Sequence, residues 1–546
     1  MVFSPAPSFF DYQLLIKQIL FTPLANNPKQ KIVYKDSFSM DYDTFRKRVC
    51  KLANVLTKMG VKKGDTVAIM DYDSHRYLEC YFAVPMLGAV LHTINVRLSP
   101  EQILYTIDHA EDDVLIIHND FLPIIEQIRG RIDTVNNYIL IADGNENIES
   151  ILPLVGEYED LVANESSEFN FPDFDENTRA TTFYTTGTTG MPKGVYFTHR
   201  QLVLHTLSAL LSLASHSGQG DFNQNDVYMP LTPMFHVHAW GIPYMATFMG
   251  VKQVYPGKYV PDLILDLIKK EDVTFSHCVP TIMHMLLTSP KVDNVDLSRW
   301  KVIIGGASMP KALALAGLNK KIDIFAGYGM SETCPILSLA HLTKEELEAS
   351  SEEQLNLRAK TGKSIGLVDM KIVDENMNEV ENNGSSTGEL VVRSPWLTPG
   401  YLKDQKNSEN LWRGGYLHTG DVANRDEHGY FKITDRDKDI IKVGGEWISS
   451  LELEDIINQH QEVNEVAVVA VNDEKWGERP LALIVANTED KKALEREILS
   501  HTKEFIKKGI MARESMLLRL HFVDSIDKTS VGKIDKKLLR EKYKNI

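Results

Sequence analysis

Hydrophobic positions along the first 120 residues follow two periods. Phe45, Val49, Leu52, Leu56 and Met59 recur at helical spacing, and Gly60 follows where such a helix would stop. Thr66–Met70 (TVAIM) and residues 114–117 (VLII) are apolar runs that suit buried strands and are too short for helices. Ser99-Pro100-Glu101-Gln102 reads as a capping-box helix start with proline in the first turn. Strands alternating with helices predict a parallel sheet and an α/β architecture.

Further along, the texture changes twice. Residues 340–360 are polar and helix-prone, which predicts a surface excursion. From about residue 362, short β-like runs at 370–373 and 388–392 are separated by turn-rich pieces such as Asn382-Asn383-Gly384-Ser385-Ser386, predicting a smaller antiparallel β unit. After Asp435-Arg436-Asp437-Lys438-Asp439 comes a last piece with helix (450–460), strand (466–471) and helix (490–508) signals. A domain boundary near Lys438 divides the chain into 1–437 and 438–546. The amphipathic piece at 12–24 is read as covering the core, with contact to a membrane or partner as the alternative.

Composition narrows the classes. The 546 residues carry 59 Lys+Arg against 75 Asp+Glu, a net charge of −16. This balance disfavours broad, charge-driven nucleic-acid binding. Cys50, Cys80, Cys278 and Cys334 are widely spaced, so neither a zinc nor a disulfide framework is expected, which suits a reducing cytoplasm. No apolar run is long enough to span a membrane, and the N-terminus lacks the basic region of a signal peptide.

The sharpest segment is Tyr184-Thr185-Thr186-Gly187-Thr188-Thr189-Gly190-Met191-Pro192-Lys193-Gly194, which follows a strand-like run. Glycines let backbone approach a polyphosphate, hydroxyl and N–H groups donate to its oxygens, and Lys193 supplies a cation. Pro192 before the lysine departs from the Walker A pattern. A polar surface loop is the bland alternative.

This string resembles the phosphate loop of the acyl-adenylate-forming superfamily, which includes acyl-CoA synthetases, peptide-synthetase adenylation domains and firefly-type luciferases. Further segments match in order: Pro233-Met234-Phe235-His236-Val237, Gly305-Gly306-Ala307, Gly327-Tyr328-Gly329-Met330-Ser331-Glu332-Thr333, Tyr416-Leu417-His418-Thr419-Gly420-Asp421, the Asp435–Asp439 segment, and Lys528-Thr529-Ser530-Val531-Gly532-Lys533-Ile534. The segments at 92–100, 235–241 and 444–450 are most similar to medium- and long-chain fatty acyl-CoA synthetases. Thr186, Ser331 and Asp527 stand where many relatives have Ser, Thr and Pro.

The resemblance implies a large N-terminal adenylate-forming domain, with αβαβα layers and a small β-barrel-like subdomain, followed by a small mobile α+β C-terminal domain. It implies AMP-forming activation of a carboxylic acid and transfer to CoA, with ATP and CoA as substrates and Mg²⁺ as cofactor. Lys533 would bridge carboxylate and α-phosphate oxygens, and His236 would sit beside the substrate carboxylate. Glu332 and Thr188 would hold Mg²⁺. Nucleotide contacts would come from Thr185, Thr186, Gly187, Thr188, Thr189, Gly190, Lys193, Gly306, Ala307, Gly327, Tyr328, Gly329, Ser331, Asp421, Arg436, Lys438, Lys442 and Trp447. Tyr328 would stack on adenine and Asp421 would accept from the ribose hydroxyls. Val237, Trp240, Gly305 and Gly306 would line the acyl site, where Trp240 gates or simply packs. Lys438 would be the hinge, and Lys442, Gly444 and Gly445 would meet the pantetheine arm. Core packing, turn formation and solvated charge remain the competing roles for these residues. A cytoplasmic protein, with a homodimer suggested by relatives, completes the expectation. Transfer to a carrier-protein pantetheine, a luciferase-like oxidation and a silent acyl-nucleotide-binding protein are the alternatives.

Overall fold

The structure is a computed structural model that describes residues 4–144, 148–185, 191–436, 438–443, 446–473, 475–508, 511–529 and 532–544. Among them the strands form four sheets. A seven-stranded sheet runs in the order Leu154–Glu157, Asn137–Ile141, Asp112–His118, Thr66–Met70, Val90–Thr93, Arg179–Tyr184, Gly194–Thr198. All its pairings are parallel except the last, the hairpin of Arg179–Tyr184 with Gly194–Thr198. A nine-stranded sheet runs Lys363–Ser364, Ile336–Leu339, Asp323–Gly329, Lys301–Ile304, Phe275–Cys278, Val227–Leu231, Lys252–Tyr255, Lys31–Tyr34, Phe38–Asp41, with a parallel centre and antiparallel edges.

The sequence pattern explains these elements. Every residue of Thr66–Met70 is buried, as a parallel strand covered by helices on both faces requires. The helix Tyr42–Lys58 opens on Asp41, whose carboxylate accepts the Thr44 N–H. It buries Phe45, Val49, Leu52 and Leu56, and the chain turns away at Gly60 with φ +92°. Ser99 caps Pro100–Ala110 with the anticipated reciprocal bonds to Gln102. The piece at 12–24 does cover the core: Ile16, Ile19 and Leu20 are buried and the Ile16 N–H donates to His199 Nδ1 at 3.2 Å.

The small β unit is a four-stranded antiparallel sheet in the order Asp369–Val373, Gly388–Arg393, Leu417–Arg425, Phe431–Arg436. The polar excursion at 340–360 forms the short helices Lys344–Leu347 and Ser351–Arg358. It is pinned more firmly than its polarity suggests, because buried Arg358 pairs with Asp323 at 2.6 Å.

The last piece has its own sheet and its own apolar clusters, built only from residues beyond 440. Val463–Asp473 pairs along its length with Gly477–Ala486, so this strand is longer than its apolar run at 466–471. The helix Ser450–Ile457 stops short of residue 460, and Lys491–Lys507 is capped by Asp490. No helix among the described residues is long and apolar enough to cross a membrane.

Candidate active site

The carboxyl ends of the parallel strands in the nine-stranded sheet build one wall of a cavity. Val227–Leu231 leads into Pro233-Met234-Phe235-His236 and then a left-handed turn. Val237, His238, Ala239 and Trp240 have φ of +48°, +56°, +48° and +59°. For L-residues each such position costs roughly 1–2 kcal/mol. Surrounding groups hold the segment in place. Buried Asp73 accepts the Met234 N–H at 2.8 Å, the Tyr81 hydroxyl donates to the Met234 carbonyl, and the Thr93 hydroxyl donates to the Phe235 carbonyl at 3.0 Å. His238 packs among Tyr81, Phe183, Phe197 and Tyr244. The turn thereby presents His236, Val237 and Trp240 to the cavity.

The opposite side follows Asp323–Gly329. Gly327, Tyr328, Gly329 and Ser331 line the same cavity, with Gly305 and Gly306 beside them. Gly305 is glycine for lack of space: a Cβ there would stand 2.8 Å from the Gly327 carbonyl oxygen and 2.9 Å from the Trp240 ring. The Tyr328 hydroxyl donates to Asp421 Oδ2 at 2.6 Å, and Arg436 Nε lies 3.2 Å from Asp421 Oδ1. Burial and the adjacent Asp421 carboxylate push the Tyr328 hydroxyl well up, so it remains a donor. Asp421 is 5% exposed and directs its carboxylate to this corner.

Glu332 is 7% exposed and accepts from the Tyr401 hydroxyl at 2.7 Å through Oε1. Its Oε2 has no protein donor among the described residues. A buried carboxylate with one free oxygen suits a hard cation shared with phosphate oxygens, which is how Mg²⁺ is commonly held. Lys193 Nζ stands 4.6 Å from the Tyr401 ring centre. Thr185 and Lys193 close the base of the hairpin, Thr185 N donating to the Lys193 carbonyl at 3.0 Å and Lys193 N to Thr185 Oγ1 at 3.3 Å. The hairpin tip, with Thr186, Gly187, Thr188, Thr189 and Gly190, lies outside the described residues.

Lys533 enters from the C-terminal unit. Thr529 closes its turn, donating its N–H to the Lys533 carbonyl at 2.6 Å, and the Thr529 hydroxyl accepts the Lys533 N–H at 3.2 Å. Gly532 takes the turn's left-handed position at φ +83°. The Lys533 side chain lines the cavity with His236, Gly306 and Tyr328. A Cβ on Gly306, itself at φ +76°, would sit 3.2 Å from Lys533 Cε, so glycine gives the lysine its path. Burial, and next the Arg436 charge, lower the Lys533 ammonium to about 8, while Asp421 and Glu332 pull it upward. Burial and then Lys533 hold His236 at about 3, so the imidazole is neutral.

Other anticipated residues lie elsewhere. Ala307 is exposed beside the cavity. Lys442 and Trp447 are also exposed, with Lys442 Nζ 5.6 Å from the Trp447 ring, and neither lines the cavity. Gly444 and Gly445 are outside the described residues. Lys438 is exposed. Its neighbour Asp435 is buried, accepts the Ser450 N–H at 2.6 Å, and is not a solvated turn charge. Asp439 pairs with Arg540.

Sequence reasoning missed Tyr401 and Asp73, the two residues that orient Glu332 and Met234. Their signals were the Pro399-Gly400-Tyr401 turn and the polar Asp71-Tyr72-Asp73-Ser74 cluster at the end of a buried strand.

The model of the AMP-binding enzyme family matches residues 21–402, and that of the AMP-binding enzyme C-terminal domain matches residues 452–533. The chain belongs to the AMP-binding enzyme family. This AMP-binding enzyme is 40% identical over 508 residues to a long-chain-fatty-acid–CoA ligase of Thermus thermophilus, covering 92% of this chain and 90% of that protein. It is 36% identical over 503 residues to a medium-chain-fatty-acid–CoA ligase of Ectopseudomonas oleovorans, with 91% and 90% covered. A 3-methylmercaptopropionyl-CoA ligase of Ruegeria lacuscaerulensis is 38% identical over 505 residues, with 91% and 90% covered. Among solved structures, the anthranilate CoA ligase AuaEII with anthranoyl-AMP superposes with a TM-score of 0.84 over 98% of both chains at 24% identity. A Mycobacterium tuberculosis fatty acyl CoA synthetase does so at 0.71 and 26% identity, over 97% of this chain and 98% of that one.

Proposed function

We propose that this AMP-binding enzyme is an AMP-forming acyl–CoA ligase acting on a medium- to long-chain fatty acid. The observation that carries the reading is the convergence of Lys533 with His236, Gly306 and Tyr328 in one cavity, with Asp421 bonded to Tyr328 and Glu332 close in sequence. In the first step a carboxylate oxygen attacks the α-phosphorus of ATP, and the bond to the bridging oxygen breaks as pyrophosphate leaves. Two anions meet there, so fixed positive charge at the α-phosphate matters most. Lys533 supplies it. Asp421 accepts from the ribose hydroxyls, the Tyr328 ring packs on the base side, and neutral His236 hydrogen-bonds the carboxylate. Mg²⁺, held by Glu332 with Thr188, would neutralise charge on the phosphates.

In the second step the CoA thiolate attacks the acyl carbon and AMP leaves. The proposal places the pivot at the 437/438 boundary. Exposed Lys438 separates Asp435, which sits in the strand Phe431–Arg436 of the large unit and accepts from Ser450 across the boundary, from Asp439, which pairs with Arg540 inside the C-terminal unit. Exposure of Lys442 and Trp447 supports a second arrangement in which that face, with Gly444 and Gly445, turns to the site. The fatty-acid assignment rests on the 36–40% identity to the long- and medium-chain ligases and on an acyl wall of Val237, Trp240, Ile303, Ile336 and Leu339. A cytoplasmic setting is supported by four buried cysteines, all free thiols; a homodimer rests on the resemblance alone.

The deciding experiment is carboxylate-dependent ATP–pyrophosphate exchange across acids from acetate to stearate plus aryl acids, followed by AMP release with and without CoA. Exchange peaking at a medium or long chain, with CoA-dependent turnover, is the expected result. Exchange without CoA turnover would redirect the acyl group to a carrier protein, and nucleotide binding without exchange would leave a silent binder.

A further inference from the structure

The acid side of the cavity is braced by one buried carboxylate from the other sheet. Asp73 lies three residues past Thr66–Met70 of the seven-stranded sheet, where Ser74 caps the helix His75–Met86. Met234 and Tyr259 lie three and four residues past Val227–Leu231 and Lys252–Tyr255 of the nine-stranded sheet. Asp73 ties these strand ends together. Its Oδ1 accepts the Met234 N–H at 2.8 Å, its Oδ2 accepts the Tyr259 hydroxyl at 2.6 Å, and its main-chain carbonyl accepts the Gly257 N–H at 2.9 Å. The Met234 N–H belongs to the Pro233–Met234 peptide, and the carbonyl oxygen of that same peptide accepts the His236 N–H at 2.9 Å. A single peptide unit therefore stands between the Asp73 carboxylate and the backbone of His236, which lines the cavity. The left-handed turn that presents Val237 and Trp240 begins at the next residue.

Asp73 is 4% exposed, and a charge is costly there. An asparagine could accept the same N–H and donate its own to the Tyr259 oxygen without that cost. Burial pushes the Asp73 carboxyl up to about 7; Tyr259, the Met234 N–H and the Arg97 charge pull it down, and Asp71 pushes it up. The other ionisable groups that face it are Tyr77 and Tyr81 on the following helix and Tyr228 and Tyr255 on Val227–Leu231 and Lys252–Tyr255. Burial raises all four, and Tyr259 with them, well above the usual phenol range, so they stay neutral. What the charge adds is strength, because a hydrogen bond to an ionised acceptor is about twice as strong as a neutral one. The Tyr81 and Thr93 hydroxyls that hold the Met234 and Phe235 carbonyls are neutral donors. The turn that follows carries four positive φ angles and persists only if its approach is held firmly.

We infer that Asp73 is a positioning residue for the acid subsite: its carboxylate fixes the Pro233–Met234 peptide, and through it His236 and the acyl wall, so that acid capture strengthens when Asp73 loses its proton. The inference rests on the acyl–CoA ligase reading. Asp73 itself does not line the cavity. Its effect belongs to the acid rather than to ATP, because Tyr328 and Asp421 are carried by other strands, Asp323–Gly329 and Leu417–Arg425.

Steady-state ATP–pyrophosphate exchange from pH 6 to pH 9, with the acid that exchanges fastest, tests this. In wild type kcat/KM for the acid should rise with pH through about 7, ahead of the fall that Lys533 sets at about 8. Asp73→Asn should remove that rise. At pH 8 it should raise the acid KM about fivefold or more, at pH 6 the two proteins should agree within about twofold, and KM for ATP should hold at both. Tyr259→Phe withdraws a donor from the carboxylate and should move the rise upward by about half a pH unit or more. Stability gives a readout free of catalysis. The folded carboxyl keeps its proton to about 7 and an unfolded one releases it at about 4, so wild type loses stability across that window and Asp73→Asn does not. The variant's thermal midpoint should therefore gain about 2 °C or more on wild type between pH 5 and pH 8. The inference is overturned if the rise persists in Asp73→Asn, if the acid KM ratio is the same at pH 6 and pH 8, if KM for ATP rises equally, or if the two midpoints run parallel. Wild type that exchanges with no acid would instead break the ligase reading, and this inference with it.

Discussion

The left-handed turn at 237–240 and the Lys533 turn supply opposite sides of one cavity and are held in opposite ways. Hydrogen bonds from Asp73, Tyr81 and Thr93 secure the chain leading into the first, and four aromatic rings surround His238. Four successive positive φ angles persist there because the surroundings leave no alternative. The second is closed by its own Thr529 and Gly532, and it meets the large unit through Gly306 and a 3.4 Å bond from Thr281 Oγ1 to the Gly532 carbonyl. Groups that position the acid belong in the rigid core. A charge needed in one step only is better carried on a body whose withdrawal breaks few contacts.

Removing the delivered charge should have the largest effect. Lys533→Ala is expected to slow adenylation by about 10²–10³-fold, while thioester formation from supplied acyl-AMP largely survives. Measuring the two half-reactions separately checks this; an equal loss in both would detach Lys533 from the first step. The same lysine predicts a pH dependence. With its ammonium lowered to about 8 in the unliganded cavity, kcat/KM for adenylation should fall as pH rises through that value, because the neutral amine cannot pair with the anions. The kcat profile should fall at higher pH, since bound carboxylate and phosphate favour the cation.

Blocking the lysine's path is a milder version of the same break. Gly306→Val places branched carbons where a Cβ already approaches Lys533 Cε to 3.2 Å, at a φ of +76° that valine resists. Adenylation should drop by about tenfold or more, equivalent to about 1.4 kcal/mol, with the acyl-AMP half-reaction less affected. Tyr401→Phe tests the fixed half: it removes the hydroxyl that orients Glu332 and should cost about 1.5–3 kcal/mol of transition-state stabilisation, seen as a raised Mg²⁺ requirement in the exchange assay.

Much of this was legible in the sequence because local patterns carried it. The capping box at Ser99 and the largely apolar run at 66–70 became a capped helix and a buried strand where their patterns lay. Glycine-rich segments at 305–306 and 327–329 met in one cavity, as their small size allowed. Tyr401 and Asp73 were less visible, since each acts through a partner 69 or 161 residues away that no local period encodes. The left-handed turn was invisible for a related reason: Val237 and Trp240 have no intrinsic preference for positive φ, and only tertiary packing imposes it.

Trp240 offers the gentlest test of the comparison, because it belongs to the rigid side but faces the cavity. Its ring is packed against Gly305 and lies 4.9 Å from His277, both fixed by the nine-stranded sheet. Trp240→Phe keeps an aromatic ring at the same backbone position and trims its far edge, so the turn should survive with little change in thermal midpoint. The space released lies on the acyl wall and away from Lys533's charge. The maximal exchange rate should therefore stay within a few-fold of wild type, while the preferred acid lengthens by about one or two methylenes, each worth roughly 1–3 kcal/mol of discrimination. An unchanged chain-length profile would make Trp240 a packing residue only, and the limit on chain length would then have to be sought among Ile303, Ile336 and Leu339.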